Sequence, residues 1–482
     1  MFSSEMALTN RSATNSIVTI DYTPALGTGK GSVTEPVGAG MQVIVPDVIA
    51  YLRTRGLDIA ATGDAGGTLR VTFGSVYAYN AAVTVRTNNE VPPGVTPSVG
   101  RAGLAYLGVP QERLLLEPAW ILGLRKSTAD RSNIAFQHAG VEADGNIRIR
   151  ATWYTKDGIA GTTPIERTLS PGGWTQFDLL TLEPTAGEGY VKVELAEGRA
   201  PWYAYGVVND EMNHDGSFIA PIPDPVIKAQ EYLILPVAVE AGPYATEIIL
   251  DNVTNAAKTL RLKWVPDGLA NEWTIVEYPI AAGHQLVIPD WVEVLRRAGT
   301  YGIPGKGARL AGAIYVTVPD GTVAGVSISA RVLNPATDTT GKAGELGNYG
   351  VHYPALSEIC YTNQVSWLAG LRQDEKNRTN IAIVNTGVVD GSVSTYRVEL
   401  FDGDLGTKAG EIFVENLPWE RYVQLDRALT KIAPQVKNGF VRVTVVSGPN
   451  PFVTYAVVND GSDPGKRSGD GAYIPSEIVP VQ

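Results

Sequence analysis

The sequence predicts an all-β chain of four tandem, immunoglobulin-like antiparallel β-sandwich domains in an A-B-A-B duplication, each with one short helix. Three observations lead there. Apolar and polar residues alternate with a period of two through many six-residue stretches, the pattern of strands with one buried and one wet face. Asp-Gly turns punctuate those stretches at the intervals of a sandwich: Asp144-Gly145, Asp157-Gly158, Asp267-Gly268 and Asp402-Gly403. Finally, the chain repeats itself. "AWILGLRKSTADRSNIAFQHAG" from Ala119 returns as "SWLAGLRQDEKNRTNIAIVNTG" from Ser366, which sets Trp120 on Trp367, Arg125 on Arg372 and Asn133 on Asn380.

Earlier in each half, "VIVPDVIAYLRTRG" from Val43 matches "LVIPDWVEVLRRAG" from Leu286, and "GGTLRVTF" from Gly66 matches "AGAIYVTV" from Ala311. Each half therefore holds two modules, at 1–115, 116–228, 229–360 and 361–482. In the A modules Pro46 and Asp47 open a helix with the apolar stripe Val48, Ile49 and Leu52, and Gly56 closes it. Pro289, Asp290, Trp291, Val292, Leu295 and Gly299 repeat this. The B modules carry weaker helical stretches near Thr175–Leu182 and Glu420–Lys431. Strands follow from "IRIRATW" (Ile147–Trp153), "YVKVEL" (Tyr190–Leu195), "TLRLKW" (Thr259–Trp264), "YRVELF" (Tyr396–Phe401) and "FVRVTV" (Phe440–Val445). The expected shape is an elongated row of four beads.

Composition narrows the function. Charged residues are 18% of the 482, and the net charge is −11 with no basic run, which argues against nucleic acid. No apolar stretch approaches the ~20 residues of a membrane helix. Cys360 is the one cysteine, so no intramolecular disulfide can form. The N-terminus "MFSSEMALTNRS" has neither the basic start nor the apolar core of a signal peptide. Either the protein is cytoplasmic or a leader is missing from this chain.

The duplication tests each catalytic candidate, because a repeated site should keep its chemistry. Histidine does not: His138 aligns with Asn385, His284 with Met41 and His352 with Ala105, while His214 has no counterpart. The expected reading is polar-surface histidines and a buried structural thiol at Cys360. "GTGKGS" at Gly27 and "TTGKAG" at Thr339 lack the phosphate-loop glycine and read as hairpin tips. Asp402, Asp404 and Glu411 lack EF-hand spacing. The B modules end alike, in "YAYGVVNDEMNHDGSFIAP" and "TYAVVNDGSDPGKRSGDGAYIP". Asn209, Asp210 and Asp215, with Asn459, Asp460 and Asp470, are weak calcium candidates, since grouped hard oxygens suit that ion. Turn capping by Asn and Asp is the favoured account. Trp153, Trp174, Trp202, Tyr203 and Tyr205 read mainly as core, with sugar stacking as the alternative.

The pattern "TEIILDNVTNAAKTLRLKWVPDG…IAAGHQLVIPD…GAIYVTV…GVSISARV", with its Tyr-Pro-Ala close at Tyr353, resembles the tandem β-sandwich repeat modules of large secreted bacterial proteins. The two B-module endings look like the closing signature of such modules. The likeness spans essentially the whole chain and brings no catalytic residues. It implies extracellular or cell-surface placement, often beside enzymatic or anchoring domains, and no defined activity.

The modules do not start alike. "EYLILPVAVEAGP" precedes "YATEIIL" in the second A module, whereas only Met1 precedes "FSSEMAL" in the first. The first A module is thus expected to lack its entering strand. "SEIVPVQ" at Ser476–Gln482 resembles the start of that strand. The chain is then a fragment of a longer array, or one subunit's Ile478, Val479, Pro480 and Val481 fill the edge beside Phe2, Ser3, Ser4 and Glu5 of the next. The resulting expectation is a non-catalytic structural protein, a spacer, surface-layer or filament subunit, needing no cofactor and able to form a head-to-tail homopolymer. An adhesive or glycan-binding surface protein is the alternative, and a hydrolase with a single-copy site comes third.

Overall fold

The computed structural model describes residues 2–182, 187–267, 269, 272–319 and 321–478. Gly268, Val479, Pro480 and Val481 lie outside the described residues. The chain is all-β, with multiple antiparallel sheets that pair face to face in four successive segments.

The first segment runs β1 (Ser3–Asn10), β2 (Ser16–Leu26), β3 (Gly31–Val37), β4 (Gln42–Val45), α1 (Val48–Thr54), β5 (Gly66–Phe73), β6 (Ala81–Glu90), β7 (Val95–Thr96) and β8 (Arg101–Leu107). The second runs β9 (Ala119–Arg125), β10 (Asp130–His138), β11 (Ile147–Thr155), β12 (Ile165–Leu169), β13 (Trp174–Asp178), β14 (Glu188–Glu197), β15 (Trp202–Asp210), β16 (Gly216–Ile219) and β17 (Ile222–Pro223). After α2 (Asp224–Ala229) comes the third: β18 (Leu233–Glu240), β19 (Ala245–Asn252), β20 (Lys258–Asp267), β21 (Thr274–Ile280), β22 (Gln285–Ile288), α3 (Trp291–Arg297), β23 (Leu310–Thr317), β24 (Val326–Asp338), β25 (Ala343–Pro354) and β26 (Leu356–Ser357). The fourth holds β27 (Val365–Arg372), β28 (Asn377–Asn385), β29 (Ser394–Asp402), β30 (Thr407–Leu417), β31 (Tyr422–Leu425), α4 (Ala428–Ile432), β32 (Asn438–Ser447), β33 (Phe452–Asp460), β34 (Gly471–Pro475) and β35 (Glu477–Ile478).

One topology recurs. In the last three segments a five-stranded sheet faces a four-stranded one: β12-β11-β14-β9-β17 over β13-β10-β15-β16, β21-β20-β23-β18-β26 over β22-β19-β24-β25, and β30-β29-β32-β27-β35 over β31-β28-β33-β34. The first segment has β4-β1-β6-β8 over only three strands, β3-β2-β5. Among the described residues no strand of the first segment stands in the place of β18. Alternating apolar residues fill each interior; Val191 and Val193 of β14, and Val441 and Val443 of β32, are buried with their neighbours. Asp47 caps α1 by accepting from the Ala50 N–H. The stretch at Thr175–Leu182 differs from its reading: β13 occupies it through Asp178, followed by a single 3₁₀ turn at Leu179–Thr181. The pairing of Phe177 with Ile134 across β10 overrides local propensity there.

The four segments are not a row of beads. β8 packs against both β16 and β34, and β25 packs against the same two strands. β7 pairs with β24, Thr96 opposite Thr337, so the first segment also meets the third. The fourth segment returns onto the first, and the chain closes into a ring. The reason is that the last long strand of each segment carries apolar and aromatic groups on its outer face, which the neighbouring segments cover.

Candidate functional site

The joints between segments are where the repeated motifs meet. Two kinds exist, each present twice. The second-to-third joint and the fourth-to-first joint use the same residues of the repeat. Arg125 of β9 is buried and makes a two-pronged ion pair with Glu247 of β19, at 2.5 and 2.8 Å. Its counterpart Arg372 pairs with Glu5 of β1 at 3.1 Å. The Gly123 N–H donates to Gln285 Oε1 at 3.0 Å, and the Gly370 N–H to Gln42 Oε1 at 2.8 Å. Gly158 lies on Gly283, and Gly40 on Gly406, so closely that an added Cβ would meet backbone. Arg331 reaches Asp130 at 3.1 Å, as Arg86 reaches Asn377 at 2.8 Å.

The other joint is built by the closing motif of the second and fourth segments. Tyr205 and Phe218 pack with Tyr106 of β8, all three ring pairs at 5.3–5.5 Å. Tyr455 and Tyr473 do the same with Tyr353 of β25, at 5.3–5.5 Å. The polar half of the motif goes to the centre of the ring. Asp210 Oδ1 caps its own loop, accepting from the Met212 and Asn213 N–H groups, while Oδ2 accepts from the Asn348 N–H at 2.8 Å. Asp460 accepts from the Arg101 N–H at 3.1 Å, from the Ser468 hydroxyl and from Arg467. Asn209 and Asn459 are buried beside them.

Asp215 and Asp470, counterparts in the two halves, come together at the Gly103 N–H. The Gly350 N–H donates to Asp215 Oδ2 at 2.6 Å; the Gly103 N–H donates to Asp470 Oδ2 at 2.9 Å and to Asp215 Oδ1 at 3.2 Å. Two carboxyl groups thus share one N–H, both almost fully buried, and Asp470 Oδ1 has no hydrogen-bond partner among the described residues. Burial, then the neighbouring charge of Asp470, pushes the Asp215 carboxyl well above its ordinary range. Burial raises Asp470 to about 7, against the lowering pull of its hydrogen bond with Asp215 and of Arg86. Burial disfavours the charged form of both carboxyl groups.

Among the described residues no group of three His, Cys, Asp or Glu side chains is disposed to hold a metal. Of the six calcium candidates, Asp210, Asp215 and Asp470 accept from backbone N–H groups, Asp460 from a backbone N–H and from Arg467 and Ser468, and Asn459 Nδ2 donates to the Val457 carbonyl. The histidines are not all at the surface. His138 is fully buried, with Nε2 on the Gly145 carbonyl at 2.8 Å and Nδ1 accepting from the Gly140 N–H. His352 is also buried, and desolvation lowers it to about 3, so it is neutral. Both satisfy backbone groups that solvent cannot reach. His214 is exposed and His284 half-buried. Cys360 is half-buried rather than buried, in the 3₁₀ turn between the third and fourth segments. Burial of its sulfur still pushes the thiol up. Both Gly-Lys loops are hairpin tips, between β2 and β3 and between β24 and β25. Asp402 caps the Asp404 and Leu405 N–H groups, and Glu411 pairs with Lys408.

Trp153 and Trp202 are fully buried, and Trp174 Nε1 donates to Tyr205 Oη at 3.2 Å. Phe2 is exposed, while Ser3, Ser4 and Glu5 pair with Asn88, Thr87 and Arg86 of β6. Ile478 pairs with Ser366 of its own segment, where Ile222 and Pro223 stand in the second segment. The sequence reading missed Asp251. It is buried with no hydrogen-bond partner on either oxygen among the described residues, and burial pushes it well above the carboxylate range. Its counterpart Thr9 donates to Gln42 Oε1 at 2.7 Å. No protein-family model and no curated protein matches the chain.

Two outcomes follow from these groups. A carboxyl raised in the fold stabilises it below its unfolded pKa, and that stability is lost as pH rises through the folded value. Unfolding measured from pH 4 to pH 8 should therefore show falling stability. Asp470→Asn, which keeps the Gly103 bond and donates to Asp215, should flatten the slope and exceed the parent at pH 8; parallel slopes would contradict the raised carboxyl pair. Asp251→Thr copies the sister segment and removes a buried unsatisfied carboxyl. It should raise stability at pH 8 by about 1–3 kcal/mol, read by denaturant unfolding, and a loss would show that Asp251 has a partner.

Proposed function

We propose that the chain is a non-catalytic structural protein outside the cell or at its surface, working as a spacer or surface-layer subunit. In this reading its segments are four tandem immunoglobulin-like β-sandwich modules, at 1–115, 116–228, 229–360 and 361–482. The observation that carries it is where the buried polar groups go. Arg125, Glu247, Asp210, Asp215, Asp460 and Asp470 are spent on backbone and partner groups of neighbouring segments. A nucleophile, a base and an oxyanion donor converging on one cleft would mark an enzyme instead. The extracellular placement rests on the resemblance to secreted repeat modules.

The filament reading changes in detail. The contact by which one unit would follow the next, Arg372 on Glu5, is made within a single chain. We therefore favour a self-closed subunit over an open head-to-tail polymer. The glycan-binding reading has less support: the exposed Trp273 and Trp419 both lie over the Lys263 ammonium, which also pairs with Glu420.

Protease shaving of intact source cells, with detection by an antibody to the chain, tests placement and role together. The reading predicts that the protein is removed by shaving and that deleting its gene alters the cell-surface layer in electron micrographs. A protein protected inside intact cells would overturn it.

A further inference from the structure

The second-to-third and fourth-to-first joints are one pair of faces used twice. One face belongs to the second and fourth segments, the other to the first and third, and their bonds correspond. The Gln42 N–H donates to the Gly403 carbonyl at 2.8 Å, and the Gln285 N–H to the Lys156 carbonyl at 2.8 Å. With Arg125 on Glu247, Arg372 on Glu5 and the two Gly–Gln bonds, these set the same backbone and side-chain partners in both joints. The centre follows the same rule: Asp215 accepts from the Gly350 N–H and Asp470 from the Gly103 N–H, each from the other half of the chain. The joints differ in how the chain supports them. The second segment runs into the third through α2, whereas Arg372 and Glu5 stand 367 positions apart. Contacts alone therefore hold the fourth-to-first joint.

We propose that these faces are interchangeable, so that a second copy of this chain can supply the partner of either half, like pairing with like as well as with unlike. The residues that differ between the copies permit each combination. Placed on its own kind, the first half sets Arg125 against Glu5. It also sets Arg86 against Asp130, an opposite charge in the place where the closed ring gives Arg86 the amide of Asn377. The second half sets Arg372 against Glu247, and it satisfies a group that the closed ring leaves unmet. Gln285 Nε2 is buried with no hydrogen-bond partner among the described residues, whereas its counterpart Gln42 Nε2 donates to Asn438 Oδ1 at 2.6 Å. Asn438 belongs to the second half, so Gln285 meets it when two second halves pair. At these positions neither combination sets like charges opposite. Using one face pair twice closes a two-fold assembly, and nothing is left over to extend it. In the intact chain the exchange turns about Glu231 and Tyr232, both exposed, and its product is a dimer of closed rings.

The pairing does not depend on where the protein is placed, so the shaving experiment and the one that follows fail separately. A protease site is inserted between Glu231 and Tyr232 of the full chain, the folded protein is cut, and pairing is read by native mass spectrometry, which tells the two halves apart. The cut protein should remain a 1:1 pair. Unfolded in denaturant and refolded as the mixture, it should return as first–first, first–second and second–second pairs, in amounts within about tenfold of one another. Glu247→Arg sets like charge against Arg125 and Arg372 and leaves the Glu5 face alone. The ratio of first–first to first–second pairs should then rise at least about tenfold; should that variant misfold, the three pairings of the parent still decide. Uncut chain refolded at rising concentration should give dimer at the expense of monomer, by light scattering. Halves that separate on cutting, a refolded mixture holding first–second pairs alone, or an uncut chain that is monomeric at every concentration would overturn the proposal.

Discussion

The rest of this structure depends on two buried carboxyl groups that cannot satisfy themselves. Asp215 and Asp470 lie at the centre of the ring, and their hydrogen-bond donors are main-chain N–H groups of other segments, at Gly103 and Gly350. A buried carboxylate without donors is costly, and two side by side are costlier. The loops that carry them can be dry only if the first and third segments present backbone at the right height. Absence of a side chain at Gly100 and Gly347 lets the loops approach that closely, because a Cβ there would meet Ser468 and Asp210. Closing the ring supplies the N–H groups of Gly103 and Gly350 to the two carboxyls, and burial there disfavours their charged forms.

Duplication explains why one set of contacts suffices. The Arg125–Glu247 joint is repeated as Arg372–Glu5, so a unit that packs head-to-tail once can do so twice and close. Where the copies differ, chemistry differs. Thr9 stands where Asp251 stands in the sister segment, so a neutral hydroxyl corresponds to a carboxyl whose charged form burial disfavours. His138, whose counterpart is Asn385, serves the same end as the amide: Asn385 Nδ2 donates to the Leu417 carbonyl, and His138 bridges Gly140 and Gly145. The largest difference is at β5, which among the described residues pairs with β2 alone, and four apolar side chains beside it are half-buried.

Much of the local architecture was legible. Period-two alternation found the strands from Ile147 to Val445, since one face of each is core and one is not. The Pro-Asp start and Gly stop found the first helix within two residues. Ring closure was not legible, because its partners are hundreds of residues apart and alternation reports burial without naming what covers it. The closing motif was read as turn capping, which describes Asp210 Oδ1 and misses Asp210 Oδ2, Asp215 and Asp470. A signal did exist: acidic residues kept in both copies, near glycines kept in both copies, are more than one loop requires. The histidines misled for a related reason, as a polar residue on a strand end reads as exposed unless its carbonyl partner is known.

Small-angle scattering of the full chain in dilute solution tests the central claim most directly, because closure sets overall size. A compact chain of this length has a radius of gyration of roughly 23–27 Å. Four separate segments in a row would give about twice that. The closed ring predicts the smaller value, with expansion on raising the pH through the range in which the buried Asp215 and Asp470 take on charge. An extended particle at every pH would contradict it, and with it the role assigned to the two carboxyls.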